Sequence, residues 1–493
     1  MNTKMIKYLV GYILKTEALL MLLPCLVALV YREKTGYYFL FGSVICALVG
    51  YLISRKKPDN TVFYLKEGCV TTALSWISLS FFGCLPFYLS GEIPKFIDAL
   101  FETISGFTTT GASILSDVEV LSHCTLFWRS FTHWIGGMGV LVFILAIMPM
   151  TNGSSMNLMK AESPGPSVGK LVPKVRQTAR ILYIIYFALT VLQFILLIIG
   201  KMPVFDALTT SIGTAGTGGF GIKNDSLASY STYVQWVVTI FMILFGINFN
   251  AYYLILIKNI KSVFSLEEVR YYFYIVIGAV GIIFVHLLQT ATSISKALTD
   301  ASFQVASIIS TTGFSTTDFD QWSGTCKTVI VLLTFTGACA GSTAGGMKIS
   351  RITILIKSIS KELRAYIHPK SIHHITIEGK KIDDDVSRSA NAYLATFFVI
   401  FAASLFLVSF EDHDFVTNFT AVATTMNNVG PGLELVGPTC NFGFFNPFTK
   451  LVLMFDMLAG RLELFPLLLV FHPTLWKDVL DNRKKRRKKQ NIL

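Results

Sequence analysis

The sequence predicts an all-α polytopic membrane protein. Four repeats of transmembrane helix, re-entrant pore helix, filter loop and transmembrane helix surround one central pore, and two extra transmembrane helices precede them. Three observations predict this: apolar runs of membrane-spanning length, basic residues confined to alternate loops, and a Thr/Gly-rich loop that recurs four times.

The apolar runs come first. Of 493 residues, 53% are hydrophobic and only 15% are charged, where a soluble domain carries about 25%. Forty Phe and nineteen Tyr exclude disorder as the cause. A span needs about 20 apolar residues. Runs of that order lie near 8–30, 37–54, 68–90, 125–149, 181–200, 231–257, 272–290, 328–357, 391–410 and 448–471. The first lacks a small-residue cleavage site and is followed at once by a second run, so it is not a signal peptide.

Charge placement sets the orientation. The net charge is +12. Lys and Arg cluster at 55–57, 160–180, 348–388 and in the tail Arg483–Lys489, whereas the long loops 91–124, 201–230, 291–327 and 411–447 are poor in them and the short loop 31–36 carries only Arg32 and Lys34. The positive-inside rule puts the basic set, and both termini, in the cytoplasm. Beside a span, the basic tail reads as an anchor to anionic lipid rather than a nucleic-acid site. The eight cysteines show no CxxC pair, and the outer Cys124, Cys326 and Cys440 are open to pairing. Lys15 and Glu17, in the first run, read as an ion pair or as snorkelling side chains.

The repeat is the most informative feature. Short apolar stretches run near 97–107, 205–214, 299–310 and 415–426, each about half a span. Asp98 leads to Thr108-Thr109-Thr110-Gly111, Asp206 to Thr214-Ala215-Gly216-Thr217-Gly218, Asp300 to Ser310-Thr311-Thr312-Gly313, and Asn418 to Met426-Asn427-Asn428-Val429-Gly430. The polar residue precedes the glycine by 13, 12, 13 and 12 positions. Such recurrence marks a repeated supersecondary unit. The expected domains are a two-helix region 1–60, repeats at 61–155, 156–262, 263–388 and 389–476, and a basic tail 477–493.

Membrane physics defines the unit. Non-helical backbone at membrane depth survives only when shielded by protein or lining a water-filled path. A Thr/Gly loop at the tip of a half-helix is therefore re-entrant. Asp98, Asp206 and Asp300 stand where an acidic side chain caps free N–H groups. The helix C-terminus then carries its partial negative charge toward the membrane centre, which favours a cation. Glycine permits backbone angles that aim carbonyls at an axis, and rings of carbonyls make a potassium filter.

These residues resemble the Trk-type potassium-uptake family over nearly the whole chain. The matching motifs are Ser105-Gly106-Phe107-Thr108-Thr109-Thr110-Gly111-Ala112, Trp134-Ile135-Gly136-Gly137-Met138-Gly139, Gly218-Gly219-Phe220, Asn427-Asn428-Val429-Gly430-Pro431-Gly432 and Gly460-Arg461-Leu462-Glu463. The two extra N-terminal spans are similar to the TrkH branch rather than the shorter KtrB branch. The resemblance implies one filter glycine per loop, at Gly111, Gly218, Gly313 and Gly430; an additional Gly216 departs from the family pattern. The implied filter is Thr109, Thr110, Gly111, Thr217, Gly218, Thr311, Thr312, Gly313, Asn428, Val429 and Gly430. Within it, K+ is expected at Thr110, Gly111, Thr217, Gly218, Thr312, Gly313, Val429 and Gly430. No covalently bound cofactor is expected. One shared glycine per loop is less regular than four identical loops, so preference for potassium over sodium should be weaker than in tetrameric channels.

Ten residues after the third filter, Gly337-Ala338-Cys339-Ala340-Gly341-Ser342-Thr343-Ala344-Gly345-Gly346, carry four glycines. Each glycine costs a helix about 1 kcal/mol relative to Ala. The helix should break here, and the resemblance implies an intramembrane gating loop. Arg461 is a charge at membrane depth, which marks a pathway or a pair; Asp456 and Glu463 are its candidate partners. The resemblance implies that Arg461 faces the pore below the filter. It also implies a cytosolic TrkA-like nucleotide-binding ring that docks on 348–388 and the tail, and a homodimer with one pore per subunit.

Rival readings have less support. Gly216–Gly221 matches GxGxxG but lacks the flanking strand and helix of a dinucleotide site. An intramembrane serine hydrolase would need Ser113 or Ser342 beside His133 or His286. A proton- or sodium-coupled potassium symporter also uses broken helices, though its repeats usually fall into two halves.

Overall fold

A computed structural model describes residues 1–59, 64–139, 175–290, 292–369 and 374–477. The sequence of outer helix, pore helix, loop and inner helix occurs four times. The first set is Leu65–Gly83 with Leu85–Ser90, then Phe96–Phe107, then His123–Met138. The second is Val175–Ile199, Val204–Gly216 and Thr232–Phe245 with Phe249–Leu256. The third is Glu267–Leu287, Ile294–Ile309 and Gly324–Thr336 with Ile349–Ile367. The fourth is Asp384–Val408, Phe415–Met426 and Pro447–Arg461 with Phe465–Phe471.

Packing closes these sets into a ring. The first inner helix lies on the second pore helix, the second on the third, the third on the fourth and the fourth on the first. No pore helix needs to face lipid, which explains why polar groups survive along them. Thr103, Ser211, Ser307 and Thr424 are all buried, and each returns its hydroxyl to a backbone carbonyl, at 2.8, 2.6, 2.6 and 2.8 Å. These four hydroxyls are thus satisfied without water.

The N-terminal helices Thr3–Leu20 and Gly36–Ser54 pack as an antiparallel pair against the first outer helix. Gly11 and Gly50 sit at their crossing: a Cβ on either would come within 3.0 Å of the other's carbonyl oxygen. Small residues allow such close approach of helices in lipid. Glu17 is buried here and accepts from the Cys46 thiol at 3.5 Å. Lys15 lies 5.2 Å over the Tyr12 ring. Of the two readings of Lys15 and Glu17, the ion pair is not formed; each side chain makes a separate contact. All eight thiols are free, including Cys124, Cys326 and Cys440.

Among the described residues, six helices have the length and apolarity to cross a membrane, and a bent pair makes a possible seventh. The expected run 125–149 is helical from His123 to Met138; positions 140–149 fall outside the described residues, as does the tail Arg483–Lys489. Two expected spans are corrected. The run 231–257 is not straight but bends by 92° between Phe245 and Phe249. The run 448–471 breaks between Arg461 and Phe465, where Glu463 and Leu464 have φ of 54° and 65°. Tertiary bonds cause the bend: the Gly246 carbonyl accepts from Cys339 N–H at 3.1 Å, and Phe249 N–H donates to the Gly341 carbonyl at 3.0 Å. Backbone groups used across the bundle cannot also propagate a helix. A hairpin pairing Thr376 with Lys381 and Ile377 with Lys380 is the only strand pairing among the described residues.

Candidate functional site

Each pore helix ends in the same way. Thr109, Thr217, Thr311 and Asn428 adopt the left-handed conformation, with φ between 52° and 57°. Their N–H groups reach back three residues, to Gly106, Thr214, Ile308 and Thr425, at 3.0–3.2 Å. The following residues, Thr110, Gly218, Thr312 and Val429, reach back five, to Ser105, Gly213, Ser307 and Thr424, at 2.8–3.1 Å. This is the Schellman helix ending, which normally selects glycine at the left-handed position. Here three β-branched threonines occupy it, a conformation that costs about 1–3 kcal/mol each and persists only where surrounding structure enforces it. Four copies of one strained ending mark the loops as a single built device.

The next residue in each loop is a glycine with positive φ: Gly111 at 78°, Gly219 at 76°, Gly313 at 84° and Gly430 at 97°. A Cβ on Gly111 would fall under 3.0 Å from the carbonyl oxygen of Gly218, on Gly219 from that of Thr312, on Gly313 from that of Val429, and on Gly430 from that of Thr110. The contacts run from loop one to two, two to three, three to four and four back to one. The ring is closed, and backbone oxygens sit at each seam. Asn428 adds a side-chain clasp, donating to the Thr110 hydroxyl at 2.9 Å and to the Met457 carbonyl at 2.9 Å.

The second loop corrects the sequence register. Gly219, not Gly218, stands level with Gly111, Gly313 and Gly430, and Gly218 stands level with Thr110, Thr312 and Val429. Thr217 is accordingly level with Thr109, Thr311 and Asn428. Counted this way, the glycine follows Asp98, Asp206, Asp300 and Thr417 by 13 positions in every repeat. Thr417, rather than Asn418, is therefore the fourth repeat's equivalent of the aspartates. One surface cavity is lined by Gly111, Gly219, Gly313 and Gly430 but not by Gly218. Gly218 instead abuts the His133 ring, which a Cβ would strike.

The ring suits a cation electrically. Four helix C-termini meet at it, each carrying about half a negative charge. The buried Thr109 hydroxyl and the Asn428 amide oxygen have no hydrogen-bond partner among the described residues.

Below the ring, Gly337 at φ 65° ends one helix and Ile349 begins the next. The intervening segment is stitched to every neighbour. Gly345 N–H donates to the Thr311 hydroxyl at 2.7 Å, and a Cβ on Gly345 would fall within 3.0 Å of Asn427 and Asn428. Gly346 packs on Gly337. The Thr343 hydroxyl donates to the Phe245 carbonyl at 3.2 Å, and Ala340 N–H donates to the Glu268 carboxylate at 2.6 Å. The Ala338 carbonyl accepts from Ile349 N–H, 3.1 Å away, and Lys348 bonds the Ala344 carbonyl. The segment thus lies directly against the inner face of filter loops three and four.

Arg461 spans that segment and the first inner helix. It donates to the Thr343 carbonyl at 3.0 Å, to the Gly137 carbonyl at 2.7 Å and to the Gly136 carbonyl. Its expected partners are engaged elsewhere: Glu463 forms an ion pair with Arg351, and Asp456 accepts from Ser404 at 2.6 Å.

Sequence reasoning missed several buried groups beside this site. Glu102 and Arg129 form an ion pair at 2.7 Å behind the first two loops, and Lys450 pairs with Asp98 at 2.6 Å. Charges in apolar runs were the available signal, but partners 27 and 352 positions apart leave no pattern in one sequence. The hydrolase arrangement is absent among the described residues. The Ser113 hydroxyl donates to Glu102 at 2.9 Å and the Ser342 hydroxyl to the Cys339 carbonyl at 2.6 Å, while both His133 nitrogens lack a hydrogen-bond partner.

A helical bundle whose half-helices end in one closed ring of backbone oxygens has the architecture of a membrane transport protein for cations. The chain belongs to the TrkH cation transport family, whose description, "TrkH: Cation transport protein", matches residues 37–479. It is 32% identical over 489 residues to the Trk system potassium uptake protein TrkH of Salmonella typhimurium, covering 97% of this chain and all of that protein. It is 31% identical over 493 residues to the Trk system potassium uptake protein TrkG of Escherichia coli, covering 97% of this chain and all of TrkG. The crystal structure of the potassium transporter TrkH from Vibrio parahaemolyticus superposes with a TM-score of 0.87 at 30% identity, over 97% of this chain and all of that one.

Proposed function

We propose that this chain carries potassium into the cell through the axis of its four filter loops. The single observation behind this is the closed cycle of glycine-to-carbonyl contacts from Gly111 through Gly219, Gly313 and Gly430 back to Thr110. Carbonyls of Thr110, Gly218, Thr312 and Val429, with those of the four positive-φ glycines, stand in for the water a potassium ion sheds. The segment 337–346 acts as a gate below them, and Arg461 holds it shut through Thr343.

The surroundings follow from charge and kinship. The basic loops and both termini face the cytoplasm, and the tail binds anionic lipid. The relatives are named as parts of a Trk system, which supports a separate cytosolic, TrkA-like nucleotide-binding ring acting on 348–388. A homodimer with one pore per subunit belongs to the same reading.

Potassium-limited growth of a strain lacking uptake systems tests the function. Wild type should restore growth; serine at position 111, 219, 313 or 430 should not, at equal membrane expression. Growth restored equally by all four serine variants would refute the pathway.

A further inference from the structure

We propose that Glu102 and Arg129 form a brace that sets the preference between potassium and sodium by fixing the outer ends of the first two filter loops. The inference rests on the pathway proposed above.

Both side chains are fully enclosed, Glu102 at 0% and Arg129 at 2% exposure. Glu102 stands on the first pore helix and Arg129 on the first inner helix. The guanidinium meets one carboxylate oxygen through Nη2 at 2.7 Å and Nε at 2.9 Å. From this core the pair reaches both loops. In loop one, the carboxylate accepts from the Ser113 hydroxyl at 2.9 Å and from Ile114 N–H at 3.0 Å. In loop two, Arg129 donates to the Gly221 carbonyl at 3.2 Å and lies 4.2 Å over the Phe220 ring, whose centroid is 4.3 Å from that of the His133 ring. Ser113 follows Gly111 by two positions, and Phe220 follows Gly219 directly. The brace therefore grips each loop just beyond its filter glycine.

A buried ion pair is weak evidence for stability, because desolvation offsets its attraction. What it supplies here is direction. Arginine presents five donors in a rigid fork, so bonds to a carboxylate and a carbonyl fix the plane between them. Discrimination between cations of one charge depends on the geometry of the carbonyl cage, through its size or the number of carbonyls it presents. Anchors at the loop ends fix that geometry without touching the ion, which makes both groups positioning residues. The brace is confined to one seam: the positions level with Glu102 are Thr210, Gln304 and Ala421, and none carries a charge.

The test is the reversal potential of the full-length protein in liposomes, with potassium on one side and sodium on the other. Glu102→Gln keeps shape and removes the charge, Arg129→Lys keeps charge and removes the fork, and Ser113→Ala cuts one link to loop one. Each folded variant should lower the permeability ratio of potassium to sodium about threefold or more while the thermal midpoint of Ser113→Ala stays near wild type. Wild-type ratios in the folded variants would overturn the inference. So would misfolding of both charge variants together with a wild-type ratio in Ser113→Ala, since the pair would then be structural only. A wild-type protein with no potassium preference would instead refute the pathway itself.

Discussion

Asn428 donates an amide N–H to the hydroxyl of Thr110 at 2.9 Å, joining the last filter loop to the first. The two residues are 318 positions apart, so the bond closes the ring in space where the chain leaves it open. Asn428 also holds φ at 55°, which asparagine and glycine tolerate better than other residues. Asn428→Gly should remove the clasp without strain and lower the potassium-to-sodium permeability ratio. Asn428→Val should add backbone strain of about 1–3 kcal/mol and lower the thermal midpoint as well. Reversal potentials and melting curves on the two variants separate clasp from strain.

Gly218 and Gly219 should differ in how they fail. The neighbour at Gly219 is backbone of the third loop, whereas at Gly218 it is the side chain of His133. Gly219→Ala should abolish uptake whatever else is changed. Gly218→Ala should also lose uptake, but His133→Ala should partly restore it by vacating the space. Radioactive rubidium uptake on the double variants checks this; restoration at 219 but not at 218 would reverse the assigned register.

Arg461 and Glu268 hold the segment 337–346 at two points, through Thr343 and Ala340. A hydrogen bond to a charged group contributes about 1.5–3 kcal/mol. Arg461→Gln or Glu268→Gln should therefore raise flux in the closed state by about tenfold or more, with the ion preference kept. Equal leak in wild type and both variants would remove the gate from this segment.

A pH effect is expected at Glu33, in the loop between the N-terminal helices. Burial alone would raise the Glu33 carboxyl, but hydrogen bonds from the N–H groups of His123 and Cys124, and from the His123 ring, bring it below its ordinary value. These bonds, at 2.8 and 3.0 Å from the backbone, cap the first inner helix from a distant turn. A depressed carboxyl stabilises the fold above its unfolded value of about 4.5, and the gain is lost as pH falls through the lower folded value. Wild type should melt higher than Glu33→Gln at pH 6, and the gap should close toward pH 3.

Local signals made much of the fold legible. Half-length apolar stretches and repeated Thr/Gly loops locate the four pore helices, and four glycines in ten residues locate the break at 337–346. Features made by distant partners were not legible. The run 231–257 reads as one apolar span, yet it bends because Gly246 and Phe249 bond to Cys339 and Gly341. Loop two offers adjacent glycines, and only backbone angles distinguish Gly219 from Gly218. Arg129 could be singled out as a buried charge, but its partner on another helix could not be named.

The most direct test is to locate the ion. Crystals grown with rubidium or thallium in place of potassium should show anomalous density on the axis enclosed by Thr110, Gly218, Thr312 and Val429 and the glycines that follow them. Density confined to other parts of the molecule, with these loops well ordered, would contradict the account.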